Sequence, residues 1–206
     1  MKIVLDKVSK RFNRDWLFKD LDFQFNLSTA YAITGPNGSG KTTLLKIIAG
    51  MMPCTLGSVS HHADNKLIDA DLVYRYLAFV APYLQVPEDL TLAEFFKFHF
   101  KLKPPSKGFS LDEIAGRAGL RDSLNKPVHT FSSGMKQRVK LALGIFSSAP
   151  VLLMDEPTTN LDESGCSWYH GEVTRLKSTK LVVISSNQAA EYDFCDQIIQ
   201  LNQHKI

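Results

Sequence analysis

A glycine-rich stretch of eight residues, set between an apolar run and a periodic segment, constrains the fold of this chain more than any other feature. It follows the pattern Gly, four residues, Gly-Lys-Thr and consists of Gly35, Pro36, Asn37, Gly38, Ser39, Gly40, Lys41 and Thr42. The apolar run 30–34 before it predicts a buried strand. Residues 43–49 after it have helical apolar spacing and precede Gly50, a residue type that commonly stops a helix. The sequence therefore predicts a strand, a tight turn and a helix in direct succession.

The residue types of this stretch suit the binding of a polyphosphate. Glycines let the backbone turn so that several N–H groups point inward at an anion, and the positive end of the next helix faces that anion. In such a loop Lys41 reaches the β- and γ-phosphates and the Thr42 hydroxyl ligates Mg²⁺, with Thr43 directly behind the loop. We therefore predict a site for ATP or GTP, with Mg²⁺.

A pair of carboxylates follows a second apolar strand. Residues 151–154 are all apolar, and Asp155 and Glu156 come directly after them. In phosphate-loop hydrolases such a strand lies beside the strand of the loop and brings its aspartate to the Mg²⁺ shell. A carboxylate one residue further along can polarise and position an attacking water. We expect Asp155 to be a metal ligand, and Glu156 and Lys41 to be catalytic residues.

The rest of the chain predicts an α/β fold. Apolar patterning predicts strands over 2–8 and 17–27, joined by a basic turn over 9–15, and shorter strands near 57–60, 76–80 and 180–184. Helical spacing predicts helices over 92–100, 111–118 and 162–177, and another from a Ser-Ser-Gly stretch to Ile145. The continuous apolar runs suit strands that are buried on both faces of a parallel sheet.

We accordingly predict one domain over residues 1–206, with a P-loop NTPase core and a mostly parallel sheet. The core takes in about 1–88 and 146–206 and includes a small antiparallel β subdomain. The inserted helical subdomain spans about 89–145.

Composition limits the classes of protein to which the chain can belong. Apolar residues make up 44% and charged residues 22% of the 206 positions, as in ordinary globular proteins. No apolar run approaches the ~20 residues that cross a bilayer, and the N-terminus lacks a signal-peptide pattern. Cys54, Cys166 and Cys195 have neither metal-site nor redox-pair spacing, which favours reduced thiols in a cytosolic protein. A net charge of +3 is too weak to indicate a nucleic-acid partner.

The Ser-Ser-Gly stretch gains meaning from its place among the other motifs. Taken alone, Ser132, Ser133 and Gly134 are the cap of a helix. In order, however, the motifs resemble the nucleotide-binding subunit of ATP-binding-cassette (ABC) transporters over essentially the whole chain. Residues 131–135 are similar to the family's signature motif, usually Leu-Ser-Gly-Gly-Gln, although Ser133 replaces a glycine and Met135 a glutamine.

The resemblance implies roles for further residues. Asp155 and Glu156 match the Walker B aspartate and the catalytic glutamate, and residues 159–162 match the D-loop. Phe12 matches the aromatic residue that stacks on adenine, and a place in the core is its alternative. The further nucleotide contacts that the resemblance implies are Ser132, Ser133, Gly134 and Asp162.

The resemblance also implies partners. Two copies of the same or a similar subunit would meet head to tail about a two-fold axis. Each ATP would lie between one phosphate loop and the other copy's signature helix, where the Ser132 hydroxyl and the Gly134 N–H face the γ-phosphate. A separate integral membrane permease would supply the transport path. This implies a cytoplasmic subunit, peripheral on the inner face of the cell membrane.

Two positions depart from the family pattern. Pro82 stands where the family has a glutamine that touches Mg²⁺, and Gln85 follows three residues later as a surface residue or a replacement. Asn187 stands where the family has a histidine that contacts the γ-phosphate. Because Asn cannot carry a positive charge, we expect hydrolysis with Asn187 in this catalytic position to be slowed rather than abolished.

Several alternatives stay open on the sequence alone. A non-transport ABC ATPase is one, and a regulatory module that binds ATP and hardly hydrolyses it is another. The aromatic residues Phe95, Phe96, Phe98 and Phe100 predict a helical core more readily than a groove for the permease. We expect His61 and His62 to lie in a surface turn. A solvated basic face is expected for Lys136, Arg138 and Lys140.

Overall fold

Two sheets and a group of helices make up residues 1–201, the part of the chain that this computed structural model describes. The antiparallel sheet has the order β2-β1-β4-β5, and its strands are β1 (Lys2–Phe12), β2 (Asp15–Asn26), β4 (Leu56–Ala63) and β5 (Lys66–Leu67). The second sheet has the order β6-β7-β8-β3-β9. Its strands are β3 (Ala30–Thr34), β6 (Leu77–Val80), β7 (Val151–Asp155), β8 (Leu181–Ser185) and β9 (Gln197–Gln200).

Five α-helices are present in this part of the chain. They are α1 (Lys41–Ile48), α2 (Leu92–Leu102), α3 (Leu111–Arg117), α4 (Ser133–Ile145) and α5 (Glu163–Leu176). Helices α2 and α3 begin with capping boxes, in which Thr91 pairs with Glu94 and Ser110 pairs with Glu113. Each box satisfies N–H groups that the first turn of a helix leaves without partners.

The second sheet is parallel in every pairing and is covered on both faces. In β7, Val151 and Leu153 belong to the core shared with α1 and the antiparallel sheet, whereas Leu152 and Met154 belong to the core shared with α2, α4 and α5. All four side chains are fully buried. This explains why the strand is continuously apolar and confirms the predicted α/β class with a parallel sheet.

Two local predictions of secondary structure are wrong. The stretch 9–15 is mostly strand, because β1 runs on to Phe12 to pair with β2, and the turn is confined to Asn13 and Arg14. His61 and His62 lie in β4 rather than in a surface turn. His61 is 5% exposed and its Nε2 lies 2.8 Å from the Ile48 carbonyl oxygen. Burial lowers the pKa of this imidazole.

The predicted basic face of α4 is instead a set of paired cations. Lys136 pairs with Glu88 at 2.5 Å, and the Arg138 guanidinium lies 2.9 Å from Asp162. Lys140 donates to the Pro82 carbonyl. These side chains are half-buried because α4 packs against β6, α2 and α5. Local sequence does not reveal that packing.

The aromatic cluster of α2 is core, as predicted, except at one position. Phe95, Phe96 and Phe100 are buried, whereas Phe98 is 56% exposed. No helix within residues 1–201 combines the length and the apolar character that crossing a membrane requires. The last five residues of the predicted domain 1–206 lie outside the described residues.

Candidate functional site

The motifs meet at one edge of the parallel sheet. Strand β8 lies between β3 and β7, so the prediction that the strand before Asp155 lies directly beside the strand of the loop is wrong. The register of these three strands pairs Ile33 with Ser185 and Asp155 with Ser185. Their carboxyl ends are therefore level with one another. The phosphate loop follows β3, Glu156 follows β7 and Asn187 lies two residues after β8. A parallel α/β sheet commonly binds ligands at this edge.

The phosphate loop has a backbone shape that requires glycine. Gly35 has φ of +146°, and a Cβ atom there would lie 2.3 Å from the Leu201 carbonyl oxygen. Gly40, with φ of +98°, forms the N-cap of α1. Pro36, Asn37 and Gly38, between them, are exposed. The loop thus presents its backbone to solvent directly in front of a helix N-terminus, where anions are favoured.

Lys41 is held beneath this loop. Its ammonium donates to the carbonyl oxygens of Gly35 at 2.8 Å and Pro36 at 3.3 Å. Burial lowers the pKa of Lys41, and the carboxylates of Glu156 and Asp155 oppose that effect. The loop therefore holds a cation in place near two carboxylates.

Thr42 and Asp155 form a donor set that fits Mg²⁺. The Thr42 hydroxyl donates to Asp155 Oδ2 at 2.7 Å. Asp155 is 3% exposed, and its Oδ1 is buried without a hydrogen-bond partner among residues 1–201. An orphaned carboxylate oxygen beside a hydroxyl can accept a hydrogen bond from a metal-bound water or ligate the ion directly. Mg²⁺ is commonly held by one or two such oxygens together with waters and phosphate oxygens.

The chain leaves β7 at Glu156, which has an unusual backbone conformation. It has φ of +42°, in the left-handed region that non-glycine residues rarely adopt. Its N–H is fixed by the Ser185 carbonyl at 2.9 Å, and its side chain is exposed. Strain of this kind is common at functional sites and persists only where the surroundings enforce it.

Asn187 contacts the phosphate loop directly. Its side-chain Nδ2 donates to Asn37 Oδ1 at 2.9 Å, across 150 positions of sequence. Asn187 therefore lies beside the loop, as its position in the motif order predicts. This contact uses a neutral amide where a histidine would bring a potential charge.

The signature residues and the D-loop form a second group. Ser132 caps α4, with its hydroxyl accepting from the Met135 N–H at 3.2 Å, and Ser133 is the exposed first residue of the helix. A Cβ on Gly134 would lie 2.8 Å from the Asn160 carbonyl oxygen, so this glycine lets the D-loop approach the helix. Asp162 caps α5 through the Gly165 N–H at 2.8 Å.

Phe12 and the loop after β6 lie at the margins of the site. Phe12 ends β1 with 47% of its surface exposed, and the Lys10 ammonium lies 5.0 Å from its ring centroid. This exposure excludes the core alternative. Gln85 is exposed, as its surface interpretation predicts. Pro82 is half-buried, and its carbonyl accepts from Lys140.

Sequence patterns did not predict the contact of Tyr83 with α1. The Lys46 ammonium of α1 lies 4.6 Å from its ring centroid. Burial, and then the charge of Asp155, raise the pKa of Tyr83 to about 12. The one sequence feature that could have indicated this contact is an aromatic residue directly after Pro82, the position at which the family's glutamine is missing. Two other missed residues, Gln137 and Glu191, are buried and contact the loop after Glu156.

Comparison with known proteins identifies the family. Residues 18–159 match the family model described as ABC transporter. The cytochrome c biogenesis ATP-binding export protein CcmA of Rhizobium meliloti (strain 1021) is 30% identical over 91% of this chain and 92% of its own length. The uncharacterized ABC transporter ATP-binding protein YybJ of Bacillus subtilis (strain 168) is 28% identical over 97% of this chain and 92% of its own length. The sulfate/thiosulfate import ATP-binding protein CysA of Halalkalibacterium halodurans is 29% identical, and the match covers 60% of that protein.

Solved structures agree with this assignment. The dimeric structure of MJ0796, a bacterial ABC transporter cassette, superimposes with a TM-score of 0.83 at 25% identity, over 98% of this chain and 94% of that one. The same cassette bound to ADP and Pi, in a post-hydrolysis state, superimposes with a TM-score of 0.80 at 23% identity, over 98% and 97% of the two chains. The chain belongs to the ABC transporter family and has the fold of its ATP-binding cassettes.

Proposed function

We propose that this chain binds and hydrolyses ATP and thereby powers transport through a separate membrane permease. The hydrogen bond between Thr42 and Asp155, beside the ammonium of Lys41, is the observation that carries the proposal. It joins the phosphate loop to the strand-end carboxylate at the sheet edge. The names of the relatives, which include an export and an import ATP-binding protein, support a role in transport.

Each residue of the site has a physical role in this proposal. Lys41 and backbone N–H groups among residues 37–43 bind the phosphates, and Phe12 offers its exposed ring to the adenine. Thr42 and Asp155 hold Mg²⁺, which would neutralise phosphate charge as the terminal bond breaks. Glu156 accepts a hydrogen bond from the attacking water and orients it. Asn187 donates to the γ-phosphate through its amide.

The other half of each site would come from a second copy of this or a similar subunit. Ser132, Ser133 and Gly134 stand at the exposed start of α4, where N–H groups and the helix dipole favour an anion. The side chain of Asp162, which pairs with Arg138 of the same helix α4, is 71% exposed. The dimeric state of the MJ0796 cassette supports a two-copy assembly. ATP would join the copies because each contributes only part of its binding site.

A groove between β6, α2 and α4 suits the permease. Its volume is about 200 Å³, and its walls include Phe95 and Leu143. Its basic members are His99, Lys103 and Lys140, and no carboxylate is among the residues that line it. The buried His99 Nε2 has no hydrogen-bond partner among residues 1–201. We assign this groove to a cytosolic segment of the permease that presents apolar side chains and one carboxylate. The subunit then works at the inner face of the membrane.

Within this assembly we divide the chain functionally. The core, about 1–88 and 146–206, holds the phosphates and Mg²⁺, whereas the helical part, about 89–145, brings the signature helix to the partner. The helical part shares its hydrophobic core with one face of the parallel sheet, so the two parts are mechanically linked.

Nucleotide binding and turnover test the proposal. Purified protein should bind Mg·ATP in a calorimeter and release phosphate, and Lys41→Ala should abolish both. Lys97→Ala serves as a matched control, because it removes an exposed lysine of α2 and leaves the phosphate loop intact. Unchanged ATP affinity in Lys41→Ala would refute the proposed site.

A regulatory module that binds ATP and hardly hydrolyses it is the second candidate. The neutral Asn187–Asn37 contact favours it, because a neutral donor stabilises developing phosphate charge less than a charged one. Turnover of the purified complex, compared with Glu156→Gln, separates the candidates. Turnover equal to that of Glu156→Gln would favour the regulatory module.

A further inference from the structure

We infer that Glu191 is a positioning residue for ATP hydrolysis, because its carboxylate fixes the loop after Glu156 to the segment that carries Asn187. The inference rests on the proposed function and adds a residue to it. Glu191 lies four residues after Asn187, in the short 3-10 turn Ala189–Glu191, and is 1% exposed.

The carboxylate of Glu191 holds Thr158, the residue directly before the D-loop, by two hydrogen bonds. Its Oε1 accepts the Thr158 N–H at 2.8 Å and also the Thr158 hydroxyl. Thr158 lies two residues after Glu156 and two before Asn160. The bond therefore acts on the short connection between the residue that positions water and the part of the loop that faces α4.

Neighbouring contacts fix the same connection from the other side. The buried Gln137 of α4 donates through Nε2 to the Pro157 carbonyl at 2.8 Å. The Asn160 backbone, with φ of +67°, packs against Gly134. Pro157 and Asn160 are thus held by the signature helix, and Thr158 between them is held by Glu191. The strained φ of Glu156 needs such enforcement from its surroundings.

Stability alone does not account for this carboxylate. The second oxygen, Oε2, is buried without a hydrogen-bond partner among the described residues. Burial of a carboxylate with one unpaired oxygen lowers folding stability, so stability does not explain why a carboxylate is present here. Anchoring of the turn itself does not need the acid, because the Tyr169 hydroxyl donates to the backbone carbonyl of Glu191 at 2.8 Å.

The arrangement links both ends of the site through one side chain. Asn187 contacts the phosphate loop at Asn37, and Glu191 on the same segment contacts Thr158. A displacement of Asn187 when the γ-phosphate leaves would pull on Thr158, and hence on both Glu156 and the partner-facing loop. This is a contiguous network of hydrogen bonds with a defined element at each end.

Glu191→Ala, Thr158→Val, their double variant, Glu191→Gln and Tyr169→Phe test the inference. The measurements are kcat, the Kd for Mg·ATP, ATP-induced dimerisation by sedimentation, and Tm. We expect Glu191→Ala to lower kcat at least about tenfold with Kd changed less than about twofold, and Thr158→Val to follow it in part. Because both variants break one link, the double variant should be no slower than Glu191→Ala. Glu191→Gln keeps an acceptor oxygen and should recover most of the turnover.

Tyr169→Phe is the control for a merely structural role. It removes a buried hydrogen bond to the same residue and should lower Tm, but it leaves the carboxylate contact intact and should change kcat less than about twofold. Should Glu191→Ala not fold, the kcat of Thr158→Val tests the positioning role by itself. Valine has the shape of the half-exposed threonine side chain and lacks only its hydroxyl, so this variant is expected to fold.

The outcomes separate this inference from the proposed function. No Lys41-dependent ATP binding in the parent protein would refute the function and the inference together. Additive losses in the double variant, or kcat losses that only track Tm, would refute the positioning role and leave the function intact. In a parent that binds ATP but hardly turns it over, the same comparison applies to dimerisation, which Glu191→Ala and Thr158→Val should weaken.

Discussion

The Thr42 hydroxyl donates a hydrogen bond of 2.7 Å to Asp155 Oδ2, although 113 positions separate the two residues in the chain. Thr42 is in the first turn of α1 and Asp155 is the last residue of β7. The bond orients the carboxylate so that its other oxygen stays buried and unpaired among residues 1–201. Two oxygens from distant segments are thereby brought together, an arrangement that suits Mg²⁺.

Replacement of Asp155 by Asn should selectively weaken metal binding. The amide oxygen can still accept from Thr42, so the fold is retained, but the negative charge that attracts Mg²⁺ is lost. We expect Mg²⁺-dependent ATP affinity to fall at least about tenfold, with affinity for metal-free ATP unchanged or higher. Calorimetry with and without EDTA measures both. An equal loss under the two conditions would contradict a role as metal ligand.

Gly134→Ala should push the D-loop away from the signature helix. Its Cβ would lie 2.8 Å from the Asn160 carbonyl oxygen, a distance that forces backbone to move. We expect the free energy of unfolding to fall by about 1–3 kcal/mol and ATP-induced dimerisation to weaken. Urea denaturation and sedimentation measure the two effects.

Gly171→Ala in α5 is its matched control. A Cβ there meets nothing within 4 Å, so the substitution should raise the free energy of unfolding by about 0.5–1 kcal/mol through better helix propensity. Equal effects of the two substitutions would mean that the Asn160 contact has no energetic consequence.

Asn187→His should accelerate hydrolysis. A protonated imidazole donates a charge-assisted hydrogen bond to the γ-phosphate, and we expect kcat to rise about fivefold. The gain should be larger at pH 6 than at pH 8, because a histidine with a pKa of about 6.5 is charged only at the lower pH. Phosphate release, with Asn187→His/Glu156→Gln as the inactive background, provides the measurement. A pH-independent rate equal to that of the parent would argue against a γ-phosphate contact.

Lys180 should make folding stability depend on pH in the alkaline range. Its ammonium is buried at the carbonyls of Ile145 and Ser147, and burial lowers its pKa from 10.5 to about 8. Between these values the unfolded chain binds a proton that the folded chain does not, so stability rises with pH from about 8 to about 10.5. The rise from this group is on the order of 3 kcal/mol.

Lys180→Met isolates this effect from other alkaline groups. The variant removes the titrating amine and should have a smaller increase in unfolding free energy between pH 8 and 10.5 than the parent. Chemical denaturation at several pH values measures the difference. Identical slopes in the two proteins would mean that Lys180 keeps an ordinary pKa in the folded state.

Local sequence was sufficient for the phosphate loop and for the strand-end carboxylates. Each is a short pattern in which a strand, a turn and a helix follow one another within a few residues, so the backbone conformation depends mainly on near neighbours. The glycines of the loop and the apolar run before Asp155 are of this kind. Their meeting at one sheet edge follows from the parallel order of the strands.

Short sequence patterns did not predict the burial and the partners of polar side chains. His61 and His62 were expected in a surface turn and lie in a strand, and Arg138 was expected in water and pairs with Asp162. Their burial and partners depend on which elements pack together across the chain, which periodicity does not encode.

The sequence by itself determined the class of fold, the position of the phosphate loop and the candidate residues for Mg²⁺, because these depend on the order of short motifs. Only the tertiary structure decided that Glu191 reaches Thr158 across 33 positions and that Gly134 must make room for Asn160. Such contacts form because segments that are far apart in the sequence pack against each other in the folded chain.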